Sequence, residues 1–151
     1  MTETALKDRL LTAVKEAMRA GDRRRLGTLR LATAAIKQHE VDQRTEAGDA
    51  EVISLLDKMV KQRNESIEQY RAAGRAELAE QEEYELAVLR EFLPEPLSDD
   101  EVDALIDEAI TATGATSIRD MGKVMGQLKP RLQGRADMSQ ASARLKARLN
   151  G

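Results

Sequence analysis

The sequence predicts an all-α protein, and three observations carry that expectation. Alanine, leucine, glutamate, lysine and arginine dominate the 151 residues, and all five are strong helix formers. Aromatic residues make up only 2%, which leaves Leu, Ala, Met and Ile to fill the core and suits close-packed helices. Apolar residues recur at three- and four-residue spacing along most of the chain. Two domains are expected. An N-terminal antiparallel domain of about four helices covers 1–94, with a long hairpin of 50–73 and 76–92, and a small basic three-helix domain covers 97–150.

The first helix is placed over 3–20 by the one-sided stripe Leu6, Leu10, Ala13, Val14, Ala17 and Met18, and Gly21 ends it. Asp22 stands where it can cap a second helix, from about Arg24 to Arg44, with Leu26, Leu29, Thr33, Ile36 and Val41 along its apolar stripe. The run Arg23-Arg24-Arg25 opposes the helix dipole at that end. It is either a solvated triplet or one compensated by Asp22 or an anionic partner. Thr45 to Ala50 forms a polar loop, and His39, the only histidine, is a surface residue.

The third helix follows from Asp49-Ala50, with Val52, Leu55 or Leu56, Met59, Arg63, Ile67 and Tyr70 on one face. It stops at Ala72-Ala73-Gly74, where glycine can take the left-handed conformation. A fourth helix over 76–92 is anchored by Leu78, Leu86, Leu89, Phe92 and Leu93. Arg63 interrupts an otherwise apolar face. If the helices fold back about Gly74, Arg63 and Glu85 lie equally far from the turn and Glu82 one turn nearer, so a structural ion pair of Arg63 with Glu82 or Glu85 is expected.

Pro94 and Pro96 push the residues before them out of helical geometry and make a short, stiff joint. Ser98 with Glu101 is a capping box for a helix carrying Val102, Leu105, Ile106, Ala109 and Ile110, stopped at Thr113-Gly114. Ser117 with Asp120 starts the next, striped by Met121, Val124, Met125 and Leu128 and interrupted or kinked at Pro130. Asp137 caps the last, with Gln140 in the box position and Ala141, Leu145 and Leu149 inward.

Charge is partitioned. Residues 1–30 hold a net +4, residues 31–114 a net −13 and residues 115–151 a net +6, a pattern that fits a surface meeting phosphate or an acidic protein. Several chemistries lack their parts. There is no cysteine, no glycine-rich phosphate loop, no serine with a credible histidine partner, and a lone histidine cannot build an ordinary zinc site. No catalytic residue, no metal and no cofactor are expected, and no catalysis by the chain alone. The chain has no apolar run of membrane-spanning length and its N-terminus has no signal-peptide core, so a soluble cytoplasmic protein is expected. The candidate nucleic-acid-binding site is the basic tail of Arg119, Lys123, Lys129, Arg131, Arg135, Arg144, Lys146 and Arg148, with Lys123, Arg131, Arg135, Arg119 and Lys129 foremost, Gly122 where a backbone can approach closely, and Gly134 in the turn that leads into the last helix. Gly126 lies one turn from Gly122, and the N–H groups at the start of the Asp137 helix are a further anion candidate, unless the Asp137 carboxylate fills them.

Several linked segments carry a resemblance. They are Leu29-Arg30 with Ala35-Ile36-Lys37, Lys61-Gln62-Arg63-Asn64-Glu65-Ser66-Ile67, Gly74-Arg75-x-x-Leu78-Ala79-x-x-Glu82-x-x-Glu85, and Phe92-Leu93-Pro94. Met121-Gly122-Lys123-Val124-Met125 and Gly134-Arg135-Ala136-Asp137 continue the series. Over essentially its whole length the chain resembles the GatB/YqeY domain family, stand-alone relatives of the C-terminal region of the B subunit of glutamine-dependent aminoacyl-tRNA amidotransferase. The resemblance implies a helical body followed by a small helical domain that contacts tRNA. It puts Gly122, Lys123, Gly134 and Arg135 on the tail motif, and Arg63, Ser66, Arg75, Glu82 and Glu85 on the hairpin motif. The catalytic domain of the full subunit is missing. A carbon–nitrogen ligase activity with glutamine as amido donor would therefore belong to a larger complex only. Two readings compete: a tRNA-binding accessory module, and a structural unit that associates with an amidotransferase subunit or another acidic protein.

Overall fold

A computed structural model describes residues 5–150. The fold is all-α, with seven α-helices and one 3-10 helix among the described residues: α1 Leu6–Ala20, α2 Arg23–Gln43, α3 Asp49–Ala72, α4 Ala76–Arg90, α5 Asp99–Thr113, the 3-10 helix Ile118–Asp120, α6 Met121–Leu132 and α7 Met138–Asn150. The chain divides into two compact units, Met1–Leu93 and Pro94–Gly151. The part of the first helix placed before residue 5 lies outside the described residues.

In the N-terminal unit, α1 packs on α2 and α3 on α4, and α2 also meets α3 and α4. The core is Leu10, Leu29, Ile36, Val52, Leu56, Leu89 and Phe92, supported by alanines at 13, 17 and 32. Small residues at those positions let the helix axes approach. The α3–α4 reversal depends on Gly74, whose φ of 73° lies in the left-handed region. That geometry lets Arg75 N–H reach back to Tyr70 O at 2.8 Å and closes the end of α3. Arg44 does the same at the end of α2 with φ 54°, a conformation a side chain makes costly.

Three expected inward positions are on the surface. Met18 is 55% exposed, Val41 63% and Leu78 38%. Thr28 and Ala32 take the inward places on α2, and Ala79 and Val88 do so on α4. The second and fourth helices meet neighbours on two sides, so their buried faces are wider than a single stripe and centred elsewhere. The basic triplet is not simply solvated. Asp22 accepts from Arg25 N–H at 3.1 Å, the Arg25 fork grips Glu91 at 2.7 and 3.2 Å, and Arg24 lies 3.9 Å over the Tyr84 ring. Arg24 ties the start of α2 to the middle of α4 and Arg25 ties it to the residue after that helix, and the Glu91 hydrogen bond is the main reason that the Arg25 proton is held more tightly than usual.

The opening of the chain is fixed from a distance. Leu6 N–H donates to Asp49 Oδ1 at 2.9 Å, which satisfies an orphan donor of α1 from the first turn of α3. Glu40 accepts from Lys7 Nζ at 2.7 Å and Ala47 N–H at 2.8 Å, and these bonds, Lys7 first, hold its carboxyl below the ordinary value.

The C-terminal unit buries Val102, Ile106, Val124, Leu128, Leu132 and Leu145. Both halves of the Ser98–Glu101 capping box are present, and the Ser98 backbone N–H is the main cause of a lowered Glu101 carboxyl. Pro130 does not end α6, which continues to Leu132.

Candidate nucleic-acid interface

The face of interest starts at Ser117. Its hydroxyl accepts from Arg119 N–H at 3.3 Å, and the Asp120 carboxylate accepts from the N–H groups of Thr116 at 3.0 Å and Ser117 at 3.4 Å. The Thr116 bond leads the effects that keep the Asp120 carboxyl below its usual range. With its start fixed in this way, α6 buries Val124, Leu128 and Leu132. Gly122, Gly126 and Lys129, spaced i, i+4 and i+7, then fall on one line along its outer side, with Lys123 beside them.

A Cβ placed on Gly122 or Gly126 would meet nothing within 4 Å. Packing inside the unit therefore does not require either glycine, although each costs about 1 kcal/mol relative to alanine in a helix. Because Pro130 has no N–H, the Gly126 carbonyl also lacks its ordinary helical donor. Arg119, Lys123 and Lys129 are exposed, and among the described residues none of the ion pairs involves them. The result is a strip of bare backbone edged by unpaired cations.

Lys146 on α7 is exposed as well and joins none of the ion pairs among the described residues, while the other basic candidates are engaged. Arg131 pairs with Glu108 at 3.0 Å. Arg135 Nε donates to Glu95 O at 3.1 Å while Arg135 O accepts from Leu97 N–H at 2.8 Å, so this residue fastens the start of the unit to the turn at Gly134, whose φ is 76°. Arg131 and Arg135 also line an open groove of about 520 Å³ with Leu97, Leu105 and Pro130. Arg144 meets Asp103 at 2.9 Å and Asp99 at 3.1 Å, and Arg148 pairs with Asp107. Over 97–150 eight basic residues stand against eight acidic ones, so the basic charge is confined to the segment after α5, and packing of α5 against α6 and α7 pairs several of these arginines with its carboxylates. The start of α7 is likewise no open anion site, since Asp137 Oδ1 accepts from Ser139 N–H at 2.8 Å and Gln140 N–H at 3.3 Å.

In the hairpin, Arg63 lies between Val60 and Ile67 on α3, both buried, with its side chain only 14% exposed. Its Nε is 3.3 Å from Glu85 Oε2 and 4.0 Å from Glu82 Oε2. That buried Nε–H makes no hydrogen bond among the described residues, so the contact is one of charge rather than of a directed bond. Burial is the main cause that raises the Glu82 carboxyl, the neighbouring Glu85 adds to it, and Arg63 opposes both. Arg71 and Glu83 form a second pair between these helices. Sequence spacing about Gly74 could find Arg63, Glu82 and Glu85. No local signal links Arg25 to Glu91 or Lys7 to Glu40, since each pair is joined only by the packed fold.

These features define an all-helical, two-unit protein whose C-terminal unit carries an open helix face edged by exposed cations. The sequence matches the Yqey-like protein family over residues 7–149, and the chain belongs to that family. It is 31% identical over 136 residues to Altered inheritance of mitochondria protein 41, mitochondrial, of Pyrenophora tritici-repentis, covering 89% of this chain and 75% of that protein. The protein of the same name from Lachancea thermotolerans is 33% identical over 101 residues, 65% of this chain and 54% of its own length. An uncharacterized protein of Schizosaccharomyces pombe is 38% identical over 71 residues, 47% of this chain and 58% of its own. Two of these three relatives are thus matched over less than two thirds of their length.

The names of the two mitochondrial relatives overturn the cytoplasmic expectation. The lack of an apolar signal-peptide core does not bear on mitochondrial targeting, which uses amphipathic, arginine-rich segments. Among the described residues no helix is long and apolar enough to cross a membrane.

Proposed function

We propose that this protein is a non-catalytic accessory module that binds tRNA through the open face of α6, in a role related to glutamine-dependent tRNA amidation. The observation that carries the reading is the conjunction on α6 of Gly122 and Gly126, open to solvent, with the exposed cations Lys123 and Lys129, and with exposed Arg119 on the 3-10 turn that leads into the helix. A glycine surface lets a phosphate backbone come close to helix backbone, and lysines beside it supply charge. The C-terminal unit contains no aromatic residue, so base stacking is not its means of recognition. It would read the shape and backbone of a folded RNA. Glu82 and Glu85, the carboxylates gathered in the hairpin, are committed to Arg63 and serve structure. Ligase chemistry would need further subunits.

The test is a titration of the protein against tRNA and against unstructured RNA of equal length at 50 and 200 mM salt. Three phosphate contacts give a log–log salt slope of about −2 to −3 and a loss of roughly 30-fold between those conditions. Binding should favour tRNA, and Lys123→Glu with Lys129→Glu should abolish that preference. Equal, weak binding to both RNAs would contradict the reading.

A further inference from the structure

The N-terminal unit carries a second surface, of different chemistry. Lys7 and Leu11 of α1, with Arg30, Ala34, Ile36 and Lys37 of α2, line a groove of about 380 Å³. Its exposed surface is mainly aliphatic, and it is rimmed by cations. Continuing each helix face by the same i, i+4, i+7, i+11 spacing adds Met18 to Leu11 on α1, and Val41 to Arg30, Ala34 and Lys37 on α2. Leu11 is 43% and Met18 55% exposed. With Val41, they account for half of the large apolar side chains exposed among the described residues, all of which are Leu11, Met18, Leu31, Val41, Leu78 and Ile118.

The charges along the groove are unequal. At one end Lys7 is neutralised by Glu40, which is itself held by Ala47 N–H. Arg30 and Lys37 are exposed and join none of the ion pairs among the described residues. Among the described residues the Arg30 guanidinium makes one polar contact, a long one to the Met18 sulfur at 3.9 Å.

We infer that this groove is a docking site for an amphipathic helix of another protein, one with aliphatic anchors on one face and glutamate or aspartate along its flank. The 15 residues of α1 make a trough of about 22 Å, enough for four turns of a third helix against the first two, as in helix-in-groove recognition. Arg30 and Lys37, one above the other on α2, select acidic flanks and reject basic ones. A second copy of this chain is a poor occupant. A two-fold contact through this face would set Arg30 and Lys37 against the same cations of the copy, and the remaining exposed apolar residues, Leu31, Leu78 and Ile118, lie one each on three different helices and form no second stripe. An RNA backbone would gain nothing from Leu11, Met18 or Val41.

The probe is a fluorescein-labelled 16-residue helical peptide with leucines at i, i+4, i+7 and i+11 and glutamates beside them. Controls are a scrambled peptide of the same composition and a version with lysine for every glutamate. Anisotropy should show saturable binding of the glutamate peptide alone. Arg30→Glu with Lys37→Glu should weaken it at least tenfold and confer binding of the lysine peptide. The neutral pair Arg30→Gln with Lys37→Gln should fall between, and thermal melting of each variant verifies folding. tRNA affinity should be unchanged in all of them, which separates this site from the α6 face. Equal binding of scrambled and ordered peptides, no binding at all, or an unchanged affinity in the charge-reversed variant would overturn the inference. So would a free protein that sediments as a dimer and becomes monomeric on Leu11→Glu.

Discussion

Helices α3 and α4 run for 24 and 15 residues and neither has a side-chain cap at its N-terminus. In the C-terminal unit, Ser98, Ser117 and Asp137 each accept a backbone N–H at the start of a helix. Length does not explain the contrast, since α4 and α5 are both 15 residues long. A helix of that length is marginal alone, and α4 gains its stability by packing along α3, whereas α5 adds bonds at its end. Charge is handled differently too. The N-terminal unit places Arg63 within its hairpin, where only a carboxylate at the right level satisfies it. The C-terminal unit has only apolar residues among its buried side chains and spends arginines on exposed pairs with α5. The α3–α4 hairpin sets helix register by a partly buried charge, the C-terminal unit sets helix boundaries by caps, and that unit is left with a free face on α6.

The largest expected effect tests the first half of that contrast. Arg63→Ala should destabilise the protein by about 3 kcal/mol, because Glu82 and Glu85 would be left together without a cation. Glu85→Ala should cost less, since Glu82 remains. In a double-mutant cycle followed by urea melting, the combined loss should fall short of the sum by about 1 kcal/mol or more. Additive losses would remove the register role assigned to Arg63.

A smaller effect tests the second half. Ser98→Ala should cost about 1 kcal/mol, and faster hydrogen exchange should be confined to the first turn of α5. Exchange that accelerated equally throughout the C-terminal unit, or nowhere, would show that packing rather than the cap fixes that boundary.

The same division explains what could be read in advance. Seven helices, their order and most of their ends follow from local chemistry: Gly21, Gly74 and Gly114 as stops, Asp22, Ser98, Ser117 and Asp137 as caps. The inward faces of α2 and α4 do not, because each packs on more than one neighbour, and Val41 and Leu78 were assigned inward on periodicity alone. Arg63 and its glutamates were legible because a hairpin about one glycine converts sequence distance into height along the helices. The pairing of charges in the C-terminal unit was not. It depends on which helix faces which, and the acidic residues of α5 meet Arg131, Arg144 and Arg148 only after packing. For the same reason the site residues separate in the fold into Arg131, Arg135 and Gly134, which hold the unit together, and Arg119, Gly122, Lys123 and Lys129, which face outward.

The most direct test of the α6 interface uses one substitution with two readouts, Gly126→Leu. A side chain there has open space and leucine favours a helix over glycine by roughly 1 kcal/mol, so the melting temperature should rise by a few degrees. If an RNA backbone lies against the bare strip, the same variant should lose at least tenfold in affinity for tRNA. A protein that is more stable and binds tRNA as before would contradict the account.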